Sequence, residues 1–139
     1  MKYLAYGSNL NLGQMSIRCP KATPLGKILV PNFRLVFRGV ADIEEYKGAE
    51  CPMGIWDITK DCEVALDRYE GFPSLYSKMF FKINGELAMT YVMNTNRIYP
   101  PSRSYYKTIE EGYSNFHLDH KYLNNARTLS VKESHYNSF

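Results

Sequence analysis

Among the residues that could do chemistry, Glu70 has the most suggestive surroundings. Cys62, Leu66 and Tyr69 repeat at helical spacing before it, and Gly71 and Pro73 supply a stop just after it. The spacing places Glu70 at the C-terminal end of a short helix. A carboxylate there meets the negative end of the helix dipole, and Tyr69, Phe72 and Leu75 can strip water from it. Both effects raise its pKa toward the range that a general base for amine chemistry needs. Taken alone, the same spacing also describes a solvated glutamate beside a C-capping glycine. Tyr6-Gly7-Ser8-Asn9 is the second candidate. A turn of this composition presents successive backbone N–H groups, a concavity suited to a carboxylate or an oxyanion, and Gly7 permits close approach to the main chain. Any tight turn draws on the same residues. His117 and His120 could share a helix face, but no cysteine or HExxH partner accompanies them, and a metal site is not expected. No G-x-S-x-G elbow, P-loop or dinucleotide fingerprint is present.

These groups need elements to hold them. Tyr3-Leu4-Ala5-Tyr6 reads as a first strand that stops at Gly7, and residues 10–17 read as a helical turn or short helix. Residues 26–37 suggest one or two strands around Pro31, residues 40–50 a polar loop, and residues 51–58 a strand. Thr59 offers an N-cap, and Asp61 and Glu63 put negative charge in the first turn of the helix that ends at Glu70. Residues 75–83 and 86–93 flank Asn84-Gly85, a strong hairpin signal. Ser102 caps a helix expected to end at Gly112, and residues 118–127 form another. Strands and helices are segregated along the chain. The expectation is an α+β fold with a small, mainly antiparallel β-barrel flanked by short helices, formed by residues 1–129, with residues 130–139 a frayed tail.

Composition narrows the function classes. The chain has 139 residues, enough for one domain, with 45% hydrophobic and 22% charged residues. A net charge of +3, with its basic residues scattered singly, gives no track for a phosphate backbone, so nucleic acid is not an expected partner. No stretch approaches a membrane span and no signal-peptide core opens the chain. Cys19, Cys51 and Cys62 are odd in number and widely spaced, a pattern that fits reduced thiols and a cytoplasmic protein with a small, soluble substrate.

Four motifs in order resemble the γ-glutamylcyclotransferase-like superfamily over nearly the whole chain. They are Tyr3-Leu4-Ala5-Tyr6-Gly7-Ser8-Asn9-Leu10, the Gly54-Ile55-Trp56 strand, Leu66-Asp67-Arg68-Tyr69-Glu70-Gly71-Phe72, and Pro101-Ser102-Arg103-Ser104-Tyr105. Tyr76 and Tyr91 also stand where that family tends to have tyrosines. The resemblance implies a barrel flanked by helices, Glu70 as general acid/base, and substrate held by Tyr3, Leu4, Ala5, Tyr6, Gly7, Ser8 and Asn9, largely through the main chain, with Tyr105 in contact. It implies a monomer or homodimer acting on a small γ-glutamyl amide. The substrate's own α-amine would attack its γ-carbonyl, releasing 5-oxoproline and an amine without metal or cofactor. Backbone N–H groups at the developing oxyanion contribute about 3–4 kcal/mol each in such reactions. Residues 40–50 and 94–103 are the expected selectors of the leaving group. The alternative is a non-catalytic module that senses a small carboxylate metabolite through the same turn.

Overall fold

The computed structural model describes the backbone of residues 1–137 and the side chains of residues 1–134. In chain order the elements are β1 (Lys2–Ala5), a single 3-10 turn (Ser8–Leu10), α1 (Leu12–Arg18), β2 (Thr23–Arg38), β3 (Val40–Asp57), α2 (Lys60–Glu70), β4 (Tyr76–Ile83), β5 (Glu86–Met93), α3 (Arg103–Asn115) and α4 (His120–Asn137). No described helix is long and apolar enough to cross a membrane.

The strands form one five-stranded sheet in the order β2-β3-β1-β5-β4. β1 is the shortest, and it takes the centre: it runs antiparallel to β3, with Lys2 opposite Asp57, and parallel to β5, with Lys2 opposite Ala88. Tyr3, Leu4 and Ala5 are accordingly buried. The fold class is α+β as expected, and the sheet curls like a barrel without closing. The curl brings its two edge strands together, for the rings of Phe33 on β2 and Phe81 on β4 meet edge to face at 5.1 Å. Polar contacts across the interior of the curl reinforce it. Buried Asp42 on β3 accepts from the Met93 amide at 3.0 Å and from Arg38 Nε at 2.7 Å, and the Tyr76 hydroxyl donates to the Ala41 carbonyl at 3.2 Å.

Local signals hold where chemistry acts between near neighbours. Thr59 Oγ1 accepts from the Cys62 amide, α2 ends at Glu70, and Gly71 takes the left-handed conformation at φ 70°. Asn84 and Gly85, at φ 50° and 82°, turn the β4–β5 hairpin.

Four expectations are corrected. Residues 40–50 are not a loop but the first half of β3, paired with β2 from Arg38↔Val40 to Phe33↔Glu45 and again at Pro31↔Glu50. Ala41 and Ile43 point inward there, and the charged residues beyond them lie on a solvated hairpin arm. Gly112 does not end α3, which continues to Asn115. The glycine is required by packing, since a Cβ would lie 2.6 Å from the Leu10 Cβ. The polar stretch from Ser130 is helical as far as Asn137, because Leu123, Ala126 and Ser130 recur on one buried stripe of α4. Cys19 and Cys62 are joined in a disulfide between α1 and α2, with Cα atoms 5.1 Å apart, and Cys51 is a buried free thiol. The pairing removes the thiol pattern, one of the grounds for expecting a cytoplasmic protein.

Candidate active site

Each half of the site is placed by an element boundary. Glu70 is the last residue of α2, and the left-handed Gly71 carries the chain away at once, so the carboxylate is left at the helix end beside β1. The facing half is the break after β1. The chain leaves the sheet at Gly7 and closes a 3-10 turn in which the Leu10 and Asn11 amides bond the Gly7 and Ser8 carbonyls, both at 3.0 Å. Gly7 is dictated by space: a Cβ there would meet the Ala41 Cβ at 3.0 Å and the Tyr105 hydroxyl at 3.4 Å.

Between the halves lies a cavity of about 270 Å³, lined by the turn, by Glu70, and by tyrosines from five strands and helices. Tyr3, Tyr69, Tyr76, Tyr91 and Tyr105 come from β1, α2, β4, β5 and α3 respectively, and Tyr6 follows β1 directly. Most of these hydroxyls are committed. Tyr6 donates to the Tyr91 carbonyl at 2.5 Å, Tyr91 donates to Asp67 at 2.6 Å, and Tyr105 accepts from the Ala41 amide at 3.0 Å. Ser8 Oγ and the Tyr69 hydroxyl share a bond of 3.1 Å. The walls are thereby rigid and polar at chosen points, as a small-molecule site requires.

Asn9 joins the two halves. Its Nδ2 donates to the Tyr3 hydroxyl at 2.9 Å and to Glu70 Oε1 at 3.4 Å, and its carbonyl accepts from the Trp56 indole at 3.0 Å. Burial pushes the Glu70 carboxyl up to about 7, against the opposing pull of the Arg18 guanidinium. Burial likewise pushes the hydroxyls of Tyr3, Tyr6, Tyr76, Tyr91 and Tyr105 upward, with the Glu70 charge adding to each, so they stay neutral wherever Glu70 titrates. Among the described residues that line the cavity none is a cation, and the group that burial pushes toward neutrality is the Glu70 carboxyl. It can accept a proton from a bound ammonium and give it back.

Of the residues singled out in the sequence, Glu70, Tyr3, Tyr6, Gly7, Ser8, Asn9 and Tyr105 line one cavity. Leu4 and Ala5 do not line it: they are core residues of β1, and the Leu4 carbonyl accepts from Thr90 at 2.7 Å. Tyr69, Val40, Ala41 and Leu75 also line it, as do Tyr76 and Tyr91, which the motifs mark without a role. Of the two segments expected to select a leaving group, residues 40–50 reach the cavity through Val40 and Ala41, and residues 94–103 contribute nothing to its lining. His117 stands at φ 55° outside any helix and His120 begins α4, so the two do not share a helix face. Among the described residues no cluster of three or more histidines, cysteines or acids is disposed to hold a metal ion.

No family model matches the chain, and no curated protein does. Solved structures do. A γ-glutamyl cyclotransferase superposes with a TM-score of 0.80 at 25% identity, over 91% of this chain and 85% of that one. An uncharacterized protein from Homo sapiens gives 0.76 at 24% identity, over 90% and 85%. An AIG2-like protein from Mus musculus gives 0.55 at 17% identity, over 75% and 80%; these last two show the fold alone.

Proposed function

The chain belongs to the γ-glutamylcyclotransferase-like superfamily, and on that premise we propose that it cyclises a γ-glutamyl amide to 5-oxoproline with Glu70 as general acid/base. One observation carries the reading: a buried carboxylate, pushed up toward neutrality by that burial, shares a small cavity with an amide-rich turn, bridged to it by Asn9. The turn residues Gly7 and Ser8 hold the α-carboxylate and the developing oxyanion through backbone N–H groups. Glu70 takes a proton from the substrate's α-ammonium, which frees the amine to attack the γ-carbonyl. The new C–N bond closes a five-membered ring, and Glu70 returns its proton to the departing nitrogen as the old C–N bond breaks. The carboxylate then accepts the second proton that the ring nitrogen sheds on becoming an amide. Holding the extended substrate bent supplies much of the acceleration, because ring closure is intramolecular.

The test is 5-oxoproline release from a panel of γ-glutamyl amino acids, γ-glutamyl amines and γ-glutamyl peptides, in the presence of a chelator. At least one should turn over, with kcat rising about tenfold from pH 6 to pH 8 as a base of pKa about 7 deprotonates. Release should vanish in Glu70→Gln. Binding of 5-oxoproline by calorimetry without turnover of any amide would leave a sensing module in place of an enzyme.

A further inference from the structure

Arg18 is the last residue of α1, and no feature of its sequence marks it out. Its guanidinium carbon sits over the Tyr69 ring, 3.6 Å from the centroid. Its Nη1 donates to Asn9 Oδ1 at 2.5 Å and its Nη2 to Gln14 Oε1 at 2.6 Å. An asparagine amide fits its socket either way round, and its neighbours decide which end is oxygen. A guanidinium has only donors, so Asn9 must turn its oxygen to Arg18. The Asn9 NH2 then faces the other way, toward Tyr3 and Glu70. Two things follow. The Glu70 carboxylate meets a donor where a flipped amide would present a repelling carbonyl. The Tyr3 oxygen is occupied as an acceptor, so its own proton is free for whatever enters the cavity.

We propose that Arg18 is a positioning residue for Glu70, acting by orienting the Asn9 amide and by placing a fixed positive charge behind it. It does not line the cavity, so it acts through Asn9 and through its field, not by touching substrate. Among the described residues the groups around Glu70 leave Arg18 without a competitor. They are Tyr3 from β1, Tyr6 beyond it, Tyr69 beside Glu70 on α2, Tyr76 from β4, Tyr91 from β5 and Tyr105 from α3. Asp67 lies behind Tyr91, bonded to its hydroxyl and paired with Lys78; Asp42 lies behind Tyr6 and Tyr76, held by Arg38. The disulfide at Cys19, the next residue, ties the end of α1 to α2 and keeps Arg18 over Tyr69.

The role of Glu70 in turnover rests on the function proposed above; the orientation of Asn9 does not. The experiment therefore reads both. The Glu70 carboxyl carbon is titrated by NMR in the wild type, in Arg18→Met and in Arg18→Lys, with Glu70→Gln giving the assignment. Arg18→Met should raise the midpoint by about half a pH unit or more, and the acid limb of kcat should move with it. Its kcat should fall about tenfold while KM changes less than about threefold. Arg18→Lys should restore the midpoint but only part of kcat, since an ammonium keeps the charge and loses the flat two-donor fork. A folded Arg18→Met with an unmoved midpoint overturns the proposal. Should that variant fail to fold, Arg18→Lys with wild-type kcat overturns it equally. A shifted midpoint in a protein that turns over no γ-glutamyl amide refutes the proposed function and leaves the positioning intact.

Discussion

Replacing Glu70 by glutamine should destroy the activity and stabilise the protein, by an amount that grows with pH. Burial pushes the Glu70 carboxyl up to about 7 in the folded chain, whereas an ordinary glutamate titrates near 4.5. Below pH 4.5 both states are protonated and the residue contributes nothing to the balance. Between 4.5 and 7 the unfolded chain gives up its proton first, so the folded state binds more protons and loses stability as pH rises. Above 7 the whole cost remains. At 1.36 kcal/mol per pH unit of separation, the gain from Glu70→Gln should be under ~1 kcal/mol at pH 4.5, about 2 kcal/mol at pH 6 and about 3 kcal/mol at pH 8. Glu70 keeps partial contact with water, which trims these figures, and ~2 kcal/mol at pH 8 is the least the reasoning tolerates. The glutamine oxygen can still accept from Asn9, so that donor keeps its partner. Urea unfolding of both proteins at the three pH values measures the difference. A difference that is constant with pH, or a wild type more stable than the variant at pH 8, would refute both the burial argument and the assignment of Glu70 as the group near neutrality.

Two further outcomes follow from the same geometry. Gly7→Ala should raise KM about tenfold or more with the fold retained by circular dichroism, because the added methyl presses on the Ala41 Cβ and the Tyr105 hydroxyl at the cavity wall. Denatured, unreduced protein should show one titratable thiol and reduced protein three, and reduction should lower stability by about 2–4 kcal/mol, the range expected for opening a crosslink across 43 residues of chain.

The parts of this molecule that sequence reveals are those whose causes lie within a few residues. Thr59, Gly71 and the Asn84-Gly85 pair act on their own neighbours, so α2 and the β4–β5 hairpin are legible in the chain itself. The two halves of the site fall in this group as well, each being a local break in an element. Their convergence is different in kind. Asn9 and Glu70 are 61 residues apart, and Tyr76, Tyr91 and Tyr105 reach the same cavity only because the sheet curls until Phe33 meets Phe81. No local signal marks the disulfide either, because Cys19 and Cys62 meet only when α1 docks on α2. The polar run at residues 44–50 resembles a loop because its partner strand, and not its own hydrophobicity, makes it a strand. Arg18 is one arginine among several until its guanidinium is seen against Asn9 and Tyr69.

The site turn is also held from behind by two glycines that do no chemistry. A Cβ at Gly54 on β3 would fall 2.8 Å from the Leu10 Cδ2, and one at Gly112 on α3 would fall 2.6 Å from the Leu10 Cβ and 2.8 Å from the Asn11 nitrogen. Leu10 therefore sits in a recess defined by two missing methyl groups, and the position of Ser8 and Asn9 is inherited from it. A saturation scan scored on activity alone would rank positions 54 and 112 beside Glu70, as intolerant as any reacting group. A methyl at position 54 can be met by a shift of the Phe116 ring or the tip of Leu10, but at position 112 it meets the turn backbone itself, so a relative that carries alanine there must have moved its turn, and with it the shape of the molecule it accepts.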